Sequence, residues 1–406
     1  MSTKARVRTR GSTRHIMSIT AGVVATLMAG VFGLSSMTGA TAANTAITAP
    51  NNKRVDLATP TFSHPTSITN PLFPISELTQ VIQLGAEGDT VLRHEITLLP
   101  GTRVFNFNGK RVETLISQFV AYGDGRILED AVDYFAQADD GSVWYFGELV
   151  NNYEDGVIVN HDGTWLAGRD GPPGMIMPAH PKVGDVYRPE NIPGLVFEEV
   201  TVKAINQTVD GPRGPVHGAM VVEEELMDGT LEDKTFAPGY GEFQAHVAVD
   251  DELVTVAVAV PTDVLRGRVP DELRQLLKGA NRIFGAATEE NWDRVANLAD
   301  KLDRAWEDHQ EDAVPELLDA QLSDALDSLH AAIDEKDADA TRQAAIDVAH
   351  ASLDLQLQYR EPSDVDESRI HVWLRQVKLD RDADDTANVA GDVAVIDLIE
   401  TRIHDD

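Results

Sequence analysis

Cysteine is absent from this chain of 406 residues. The protein therefore has no disulfide bond, no thiolate nucleophile and no zinc or haem bound through cysteine. Two short signatures of secreted hydrolases, the G-x-S-x-G elbow and the H-E-x-x-H pair, are missing as well. These absences favour a protein without enzymatic activity. A secreted metal-dependent hydrolase or another metalloenzyme is the alternative.

Basic residues are few, since 34 lysines and arginines stand against 67 aspartates and glutamates, for a formal net charge of −33. Such an excess of negative charge repels the phosphates of nucleic acids and the headgroups of anionic lipids. We therefore expect no nucleic-acid partner. The charge suits a solvated surface outside the cell, or the binding of a cation.

The first 43 residues have the pattern of a secretory signal peptide. Five basic residues precede an apolar run at 16–34, and small residues at 40–43 offer a cleavage site. Because no cysteine follows, the protein is not a lipoprotein. We expect cleavage, a flexible linker at 44–60, no remaining membrane span, and a secreted or envelope-associated protein. The alternative is a retained membrane anchor, since the apolar run is nearly long enough to cross a bilayer.

Residues 61–264 have the pattern of an antiparallel β domain. Short runs of alternating or β-branched residues are separated by Asn-Gly and Asp-Gly pairs, for example at 108–109, 124–125 and 155–156. Such pairs are strong hairpin signals, and strands joined by two-residue turns are antiparallel. The sequence predicts an antiparallel β meander, forming a curved sheet or an open half-barrel.

Residues 270–406 have a different composition, with much alanine, leucine and aspartate and with 34 acidic residues against 14 basic ones. Apolar residues recur at the three- and four-residue steps of amphipathic helices. The pattern predicts helices at 271–284, 289–310, 315–335, 338–360, 364–381 and 385–403. Short loops between them favour an acidic antiparallel helical bundle. The predicted fold class is α+β with two domains.

Four segments of the β half carry a resemblance: "ITNPLFPI", "DYFAQADDGSVWYFGE", "PPGMIMPAHPKVGDVYRPE" and "FAPGYGEF". In order and spacing, over about residues 65–245, they resemble a family of uncharacterised exported bacterial proteins. The motifs of that family are "NPxFPL", "YAQDxDGNVWYFGE", "PGIIMPAxPKVGDxYRxE" and "YAPGVG". The chain departs from them at Phe236, where the family has tyrosine, and at Ile75 with "SEL", where it has "LxPG". The resemblance implies export and a β fold, and it implies no activity or cofactor.

Aromatic residues concentrate around one predicted hairpin. Because side chains alternate between the faces of a strand, we expect an aromatic face and name Phe135, Trp144, Phe146 and Trp165 as a candidate surface for an apolar ligand. Core packing is the alternative. His180 lies in the proline-rich stretch "DGPPGMIMPAHPKVGD" at 170–185, which we interpret as a structural corner rather than a catalytic loop.

The helical half contains a repeated D-x2-H-x3-D pattern that could bind a metal ion. The residues are Asp327, His330 and Asp334 on one predicted helix and Asp347, His350 and Asp354 on the next. Imidazole and carboxylate groups from facing helices suit a divalent metal such as zinc, copper, iron or manganese. A solvated polar face on each helix is the alternative. Arg369 and Arg375 flank Trp373 and have acids on neighbouring helices as candidate partners.

The sequence thus predicts a secreted, non-enzymatic envelope or extracellular protein. Its β half has a candidate site for a small apolar ligand, and its helical half has a candidate site for a divalent metal. Besides the metalloenzyme, a purely structural or adhesive protein is a second alternative to this prediction.

Overall fold

The computed structural model of this protein describes residues 49–310 and 313–403, and the predicted signal peptide lies outside them. Within these ranges, a large antiparallel sheet is followed by six helices, which confirms the predicted α+β class. In the same ranges, no helix is both long and apolar enough to cross a membrane.

Each predicted helix is present and begins within three residues of its predicted start. The strands are β1 (Gln80–Glu87), β2 (Thr90–Phe107), β3 (Lys110–Gly123), β4 (Arg126–Gln137), β5 (Val143–Glu154), β6 (Val157–Asn160), β7 (Trp165–Leu166), β8 (Gly174–Met177), β9 (Val186–Tyr187), β10 (Asn191–Ile192), β11 (Val196–Gly211), β12 (Gly214–Leu226), β13 (Leu231–Ala237), β14 (Gly241–Val247) and β15 (Glu252–Val260). The helices are α1 (Asp271–Thr288), α2 (Trp292–Gln310), α3 (Glu316–Glu335), α4 (Ala338–Gln356), α5 (Pro362–Asp382) and α6 (Thr386–Ile403).

The hairpin turns form where the sequence predicts them. At Asp124–Gly125 the φ angles are 48° and 74°, and at Asp155–Gly156 they are 49° and 75°. Two successive positive φ angles define the type I′ turn, whose twist matches that of the flanking strands. These local signals explain why the sheet is a meander of sequential neighbours.

The main sheet has the strand order β10-β11-β12-β13-β14-β15-β1-β2-β3-β4-β5-β6. Its two ends approach one another through the short strands, because β8 pairs with β5 and β9 pairs with β11. The backbone N–H of Met175 in β8 donates to the carbonyl of Arg188 at 3.0 Å. We name the result the rolled sheet. The proline-rich stretch 170–185 is therefore the corner that joins its ends, and His180 is exposed there.

The helices pack on the outer face of the rolled sheet and share hydrophobic cores with it. Leu273 of α1 belongs to one buried cluster with Ile82 of β1 and Val258 of β15. Val395 of α6 belongs to another buried cluster with Tyr122 of β3. The two halves are thus distinct in composition and secondary structure but are joined by common cores.

The segment expected to be a flexible linker is partly bound to the sheet. The N–H of Val55 donates to the carbonyl of Val186 at 2.9 Å, and the N–H of Val186 donates to the carbonyl of Lys53 at 3.0 Å. Residues 53–55 therefore lie against β9 instead of serving as free linker.

Candidate ligand-binding site

A narrow cavity, partly open to solvent, lies inside the rolled sheet. Its walls come from the segment before β1, from β1 to β4 and from the start of β14. The lining residues are Phe73, Pro74, Ile75, Leu78, Val81, Ile96, Leu98, Ser117, Phe119, Asp133, Phe135, Tyr240, Gly241 and Glu242. Most of the wall is apolar, and two carboxyl groups interrupt it.

A bulge in β5 determines which side chains reach the interior. Asp133 pairs with Glu148 and Phe135 pairs with Tyr145, so β5 has one extra residue between the two pairs. Because paired residues on neighbouring strands share a face, all four side chains lie on the interior face. Gly147 in the bulge has φ 106°, and a Cβ there would lie 2.2 Å from a carbonyl oxygen of β7. Glycine is therefore required at this position.

The two carboxyl groups in the cavity wall are buried. The hydroxyl of Tyr145 donates to Oδ1 of Asp133 at 2.9 Å. In Glu242, Oε1 has no hydrogen-bond partner, and Oε2 lies 3.9 Å from Nζ of Lys234. Burial raises the pKa of Asp133 to about 7, although the bond from Tyr145 partly opposes the rise. Burial also raises the pKa of Glu242 to about 7, although Lys234 partly opposes it.

Further buried acids extend from these two inside the rolled sheet. Lys234 lies 2.6 Å from Oε2 of Glu224 and 3.3 Å from Oε2 of Glu232, and it is the only basic group within 4.0 Å of the set among the described residues. The indole of Trp165 donates to Glu190. We name the following seven residues the acidic cluster: Asp133, Glu148, Glu190, Glu198, Glu224, Glu232 and Glu242.

One ammonium group cannot neutralise seven buried carboxylates. Burial raises the pKa values of Glu148, Glu190 and Glu198 well above their ordinary value, and it raises the pKa of Glu232 to about 8. Near neutral pH these groups therefore hold protons, because an unpaired buried charge costs far more than a neutral carboxyl group. The interior thus offers O–H donors, and a cation that entered would displace protons from them.

The four aromatic residues expected to form one ligand face are divided between two environments. Phe135 lines the cavity and stacks on Tyr145, with 5.1 Å between ring centroids. Trp165 packs against the same tyrosine at 5.3 Å but lies outside the cavity lining. Trp144 and Phe146 flank Tyr145 in sequence, so strand alternation places them on the opposite face of β5. Of the four, the structure brings Phe135 alone to the cavity.

The first of the two expected metal-binding trios lies on α3, facing α2 and solvent. Nε2 of His330 is 2.9 Å from Oδ1 of Asp303 on α2. Asp327 and Asp334 are exposed. This trio is a solvated helix face with one side-chain contact to a neighbouring helix.

The second trio lies on α4, and two of its side chains contact arginines from β2 and α5. Oδ1 of Asp354 accepts hydrogen bonds from Arg93 of β2 and from Arg369 of α5, each at 2.8 Å. Nδ1 of His350 is 3.4 Å from the same Arg369 guanidinium. Asp347 accepts from a glutamine of its own helix at 3.1 Å. Among the residues that the structure describes, no three His, Asp or Glu side chains are grouped to hold a metal ion.

Asp354 belongs to a buried ion cluster between the sheet and the helices. We name Arg93, Glu95, Asp354, Asp366, Arg369 and Arg402 the interface ion cluster. Its three cations and three anions balance. Although burial opposes the change, Arg93 and Arg369 lower the pKa of Asp354 to about 2, and three arginines hold the pKa of Glu95 below its ordinary value. The α4 trio therefore supplies a counterion in place of a metal ligand, because guanidinium groups occupy the space around Asp354.

The acidic cluster was missed by sequence reasoning, although a signal for it exists. On β12, Met220, Val222 and Glu224 alternate onto one face, and all three are buried. On β13, Lys234 and Phe236 also share a face and are buried. A charged residue that shares one face of a strand with buried apolar residues is expected to be buried as well.

Comparisons with protein-family models, curated proteins and solved structures give no match for this chain. The resemblance to the exported bacterial family stays a prediction from its motifs.

Proposed function

We propose that this protein is an exported, non-enzymatic binding protein whose rolled sheet takes up a slender, mainly apolar molecule with one cationic group. The observation that carries the proposal is the narrow apolar cavity with two buried carboxyl groups in its wall. Export is supported by the signal-peptide pattern of residues 1–43.

The apolar part of the ligand follows from the walls. Phe73, Phe119 and Phe135 are buried, and Leu78 and Ile96 complete much of the surface between them. Removal of apolar ligand surface from water contributes about 25 cal/mol per Å². Concave, mostly apolar sites with a few polar groups are typical of small-molecule binding.

The cationic group of the proposed ligand is inferred from the two buried carboxyl groups in the cavity wall. An ammonium group beside Asp133 and Glu242 would favour their ionised forms, and the resulting ion pairs would lie in a region of low dielectric constant. An anionic headgroup would instead meet two acids and the rest of the acidic cluster. The site therefore distinguishes an amine from a fatty acid of equal chain length.

The proposal can be tested on the full chain with the fluorescent probe N-phenyl-1-naphthylamine, which is uncharged at pH 8 and reports on the apolar walls, and with its displacement by the cation dodecylamine. We expect the probe to bind at pH 8 and dodecylamine to displace it at concentrations at least tenfold below those of dodecanoate. In the Leu98→Trp variant the indole would fill the cavity, so probe binding should be lost.

The matched control is Val91→Trp, because Val91 is 63% exposed on the same strand. This variant should bind the probe like the unmodified protein. Failure of dodecylamine to bind to the unmodified protein in a direct calorimetric titration, or equal probe binding by the Leu98→Trp variant, would refute the proposed site.

A further inference from the structure

A groove in the helical half gathers positive charge within an acidic region. From position 270 onward there are 34 acidic and 14 basic residues, yet five of the basic ones line this groove. They are Arg274, Lys278 and Arg282 of α1, Arg360 just after α4, and Arg375 of α5. We name it the basic groove. It has about 1120 Å³ of empty space with its open mouth, and no described aspartate or glutamate lines it.

The three basic residues of α1 lie in one row, and repulsion between their charges destabilises the helix. They are spaced four residues apart, which places them on one face of the helix. Like charges at this spacing repel one another. Arg274 is paired with Asp271, and it is the only one of the three with an ion pair among the described residues. A bound anion would relieve the repulsion between the other two.

The cations from the other two elements are partly buried. The Arg375 guanidinium donates to the carbonyl of His371 on its own helix. Burial lowers its pKa, and no described carboxylate offsets that effect. The Arg360 guanidinium donates to the side chains of Gln356 and Ser368 at 3.1 Å. Burial lowers its pKa too, and the nearby acids on α5 offset that effect only in part.

The groove also contains a polar atom without a partner. Asn281 lines the groove one turn from Leu277, and its Oδ1 is buried with no hydrogen bond. Because this oxygen has almost no solvent-accessible surface, the ligand contacts of the groove come from its basic and apolar side chains. Leu277 and Val269 supply apolar contact for a carbon skeleton.

We propose that the basic groove binds a small polyanion that carries two or more phosphate or carboxylate groups. Guanidinium groups bind both kinds of anion through paired hydrogen bonds, and Lys278 adds a point charge. The net charge of −33 does not prevent this, because salt at physiological strength screens charges more than about 8 Å away. This inference is independent of the cavity in the rolled sheet.

The test is calorimetric titration of the full chain with pyrophosphate, tripolyphosphate and citrate in 150 mM salt. We expect at least one of the three to bind, and the ranking of the phosphates against citrate identifies the anion chemistry. The exposed residues Lys278 and Arg282 are the sites to change, because their replacement leaves the core intact. Lys278→Gln and Arg282→Gln should each weaken binding at least fivefold, and together at least twentyfold.

The matched control is Arg294→Gln on α2, where the arginine is exposed and lies outside the groove. Its affinity should equal that of the unmodified protein, and unchanged circular dichroism should confirm that all variants are folded. The inference is overturned if none of the three anions binds, or if the double variant binds as tightly as the control.

Discussion

At the residue scale, Asp133 and Glu242 show how burial changes an ordinary acid. Both side chains lie among apolar groups, with one hydrogen bond from Tyr145 and one distant ammonium group from Lys234. Neither contact replaces the water that a carboxylate loses on burial. Each group therefore keeps its proton to about pH 7 and can exchange it for a ligand cation.

These raised pKa values predict how stability depends on pH. We expect the free energy of unfolding to fall from pH 6.5 to pH 8.5, by about 1.4 kcal/mol per pH unit for each group that is protonated only in the folded state. The sign follows because a group with a raised folded pKa loses its stabilisation as the pH rises through that value. For Asp133 and Glu242 that pKa is about 7, and for Glu232 it is about 8. Urea unfolding at three pH values measures the fall.

The buried histidines contribute a small change of opposite sign over the lower part of this pH window. Burial lowers the pKa values of His94 and His350 to about 3, so both are neutral in the folded state, whereas in the unfolded state each loses its proton around its ordinary pKa of about 6.5 and opposes the fall by about 0.4 kcal/mol. Asp133→Asn should reduce the fall, whereas Asp89→Asn in the exposed β1–β2 turn should leave it unchanged. A free energy of unfolding that is constant or rises over this window would contradict the assignment.

Asp354 gives a second prediction at the residue scale. Asp354→Asn should lower the free energy of unfolding by about 3–5 kcal/mol, because Arg93 and Arg369 would lose the charge that compensates them. Asp347→Asn on the same helix is the control and should change it by less than about 1 kcal/mol, because that side chain has one hydrogen bond from a glutamine. Chemical unfolding at pH 7.5 measures both, and equal losses would contradict the role of the interface ion cluster.

At the element scale, the helices and the main hairpins can be predicted from the sequence, because local signals determine them. Helix periods and Asp-Gly turns located all six helices and the main hairpins, because these depend on neighbours in the chain. The bulge at Gly147 and the role of Asp354 depend on residues far away in sequence, so they were not predicted. The α4 trio was correctly located on one helix, but only tertiary packing decides that arginines surround it.

The contact of α6 with the β5–β6 turn can be tested by adding one methyl group at Gly391. In Gly391→Ala the added Cβ would lie 2.8 Å from Cα of Gly156, a backbone atom with little freedom to move. We expect a loss of about 1–3 kcal/mol in the free energy of unfolding, although alanine favours an isolated helix.

Gly285→Ala in α1 is the matched control, since no atom lies within 4 Å of its added Cβ. This change should raise the free energy of unfolding by up to about 1 kcal/mol. If Gly391→Ala were also stabilising, α6 would not pack against the turn as described.

At the scale of the whole molecule, the two halves differ in where they place their acidic and basic groups. The rolled sheet buries acids around a cavity and leaves them short of cations. The helical half exposes most of its acids and collects cations in the basic groove. The proposed ligands of the two sites are therefore opposite in charge, and the shared cores between the halves hold both sites in one body.

The most direct test of the central claim is proton release when dodecylamine binds to the full chain. An alkylamine keeps its charge below about pH 10, so binding at pH 7 should expel protons from Asp133 and Glu242. Calorimetry in buffers of different ionisation enthalpy should show a release of about one proton per ligand, and affinity should rise from pH 6 to pH 8. In Asp133→Asn both effects should diminish. Binding without proton release, or with the same affinity in Asp133→Asn, would contradict the recognition of a cation by the buried carboxyl pair.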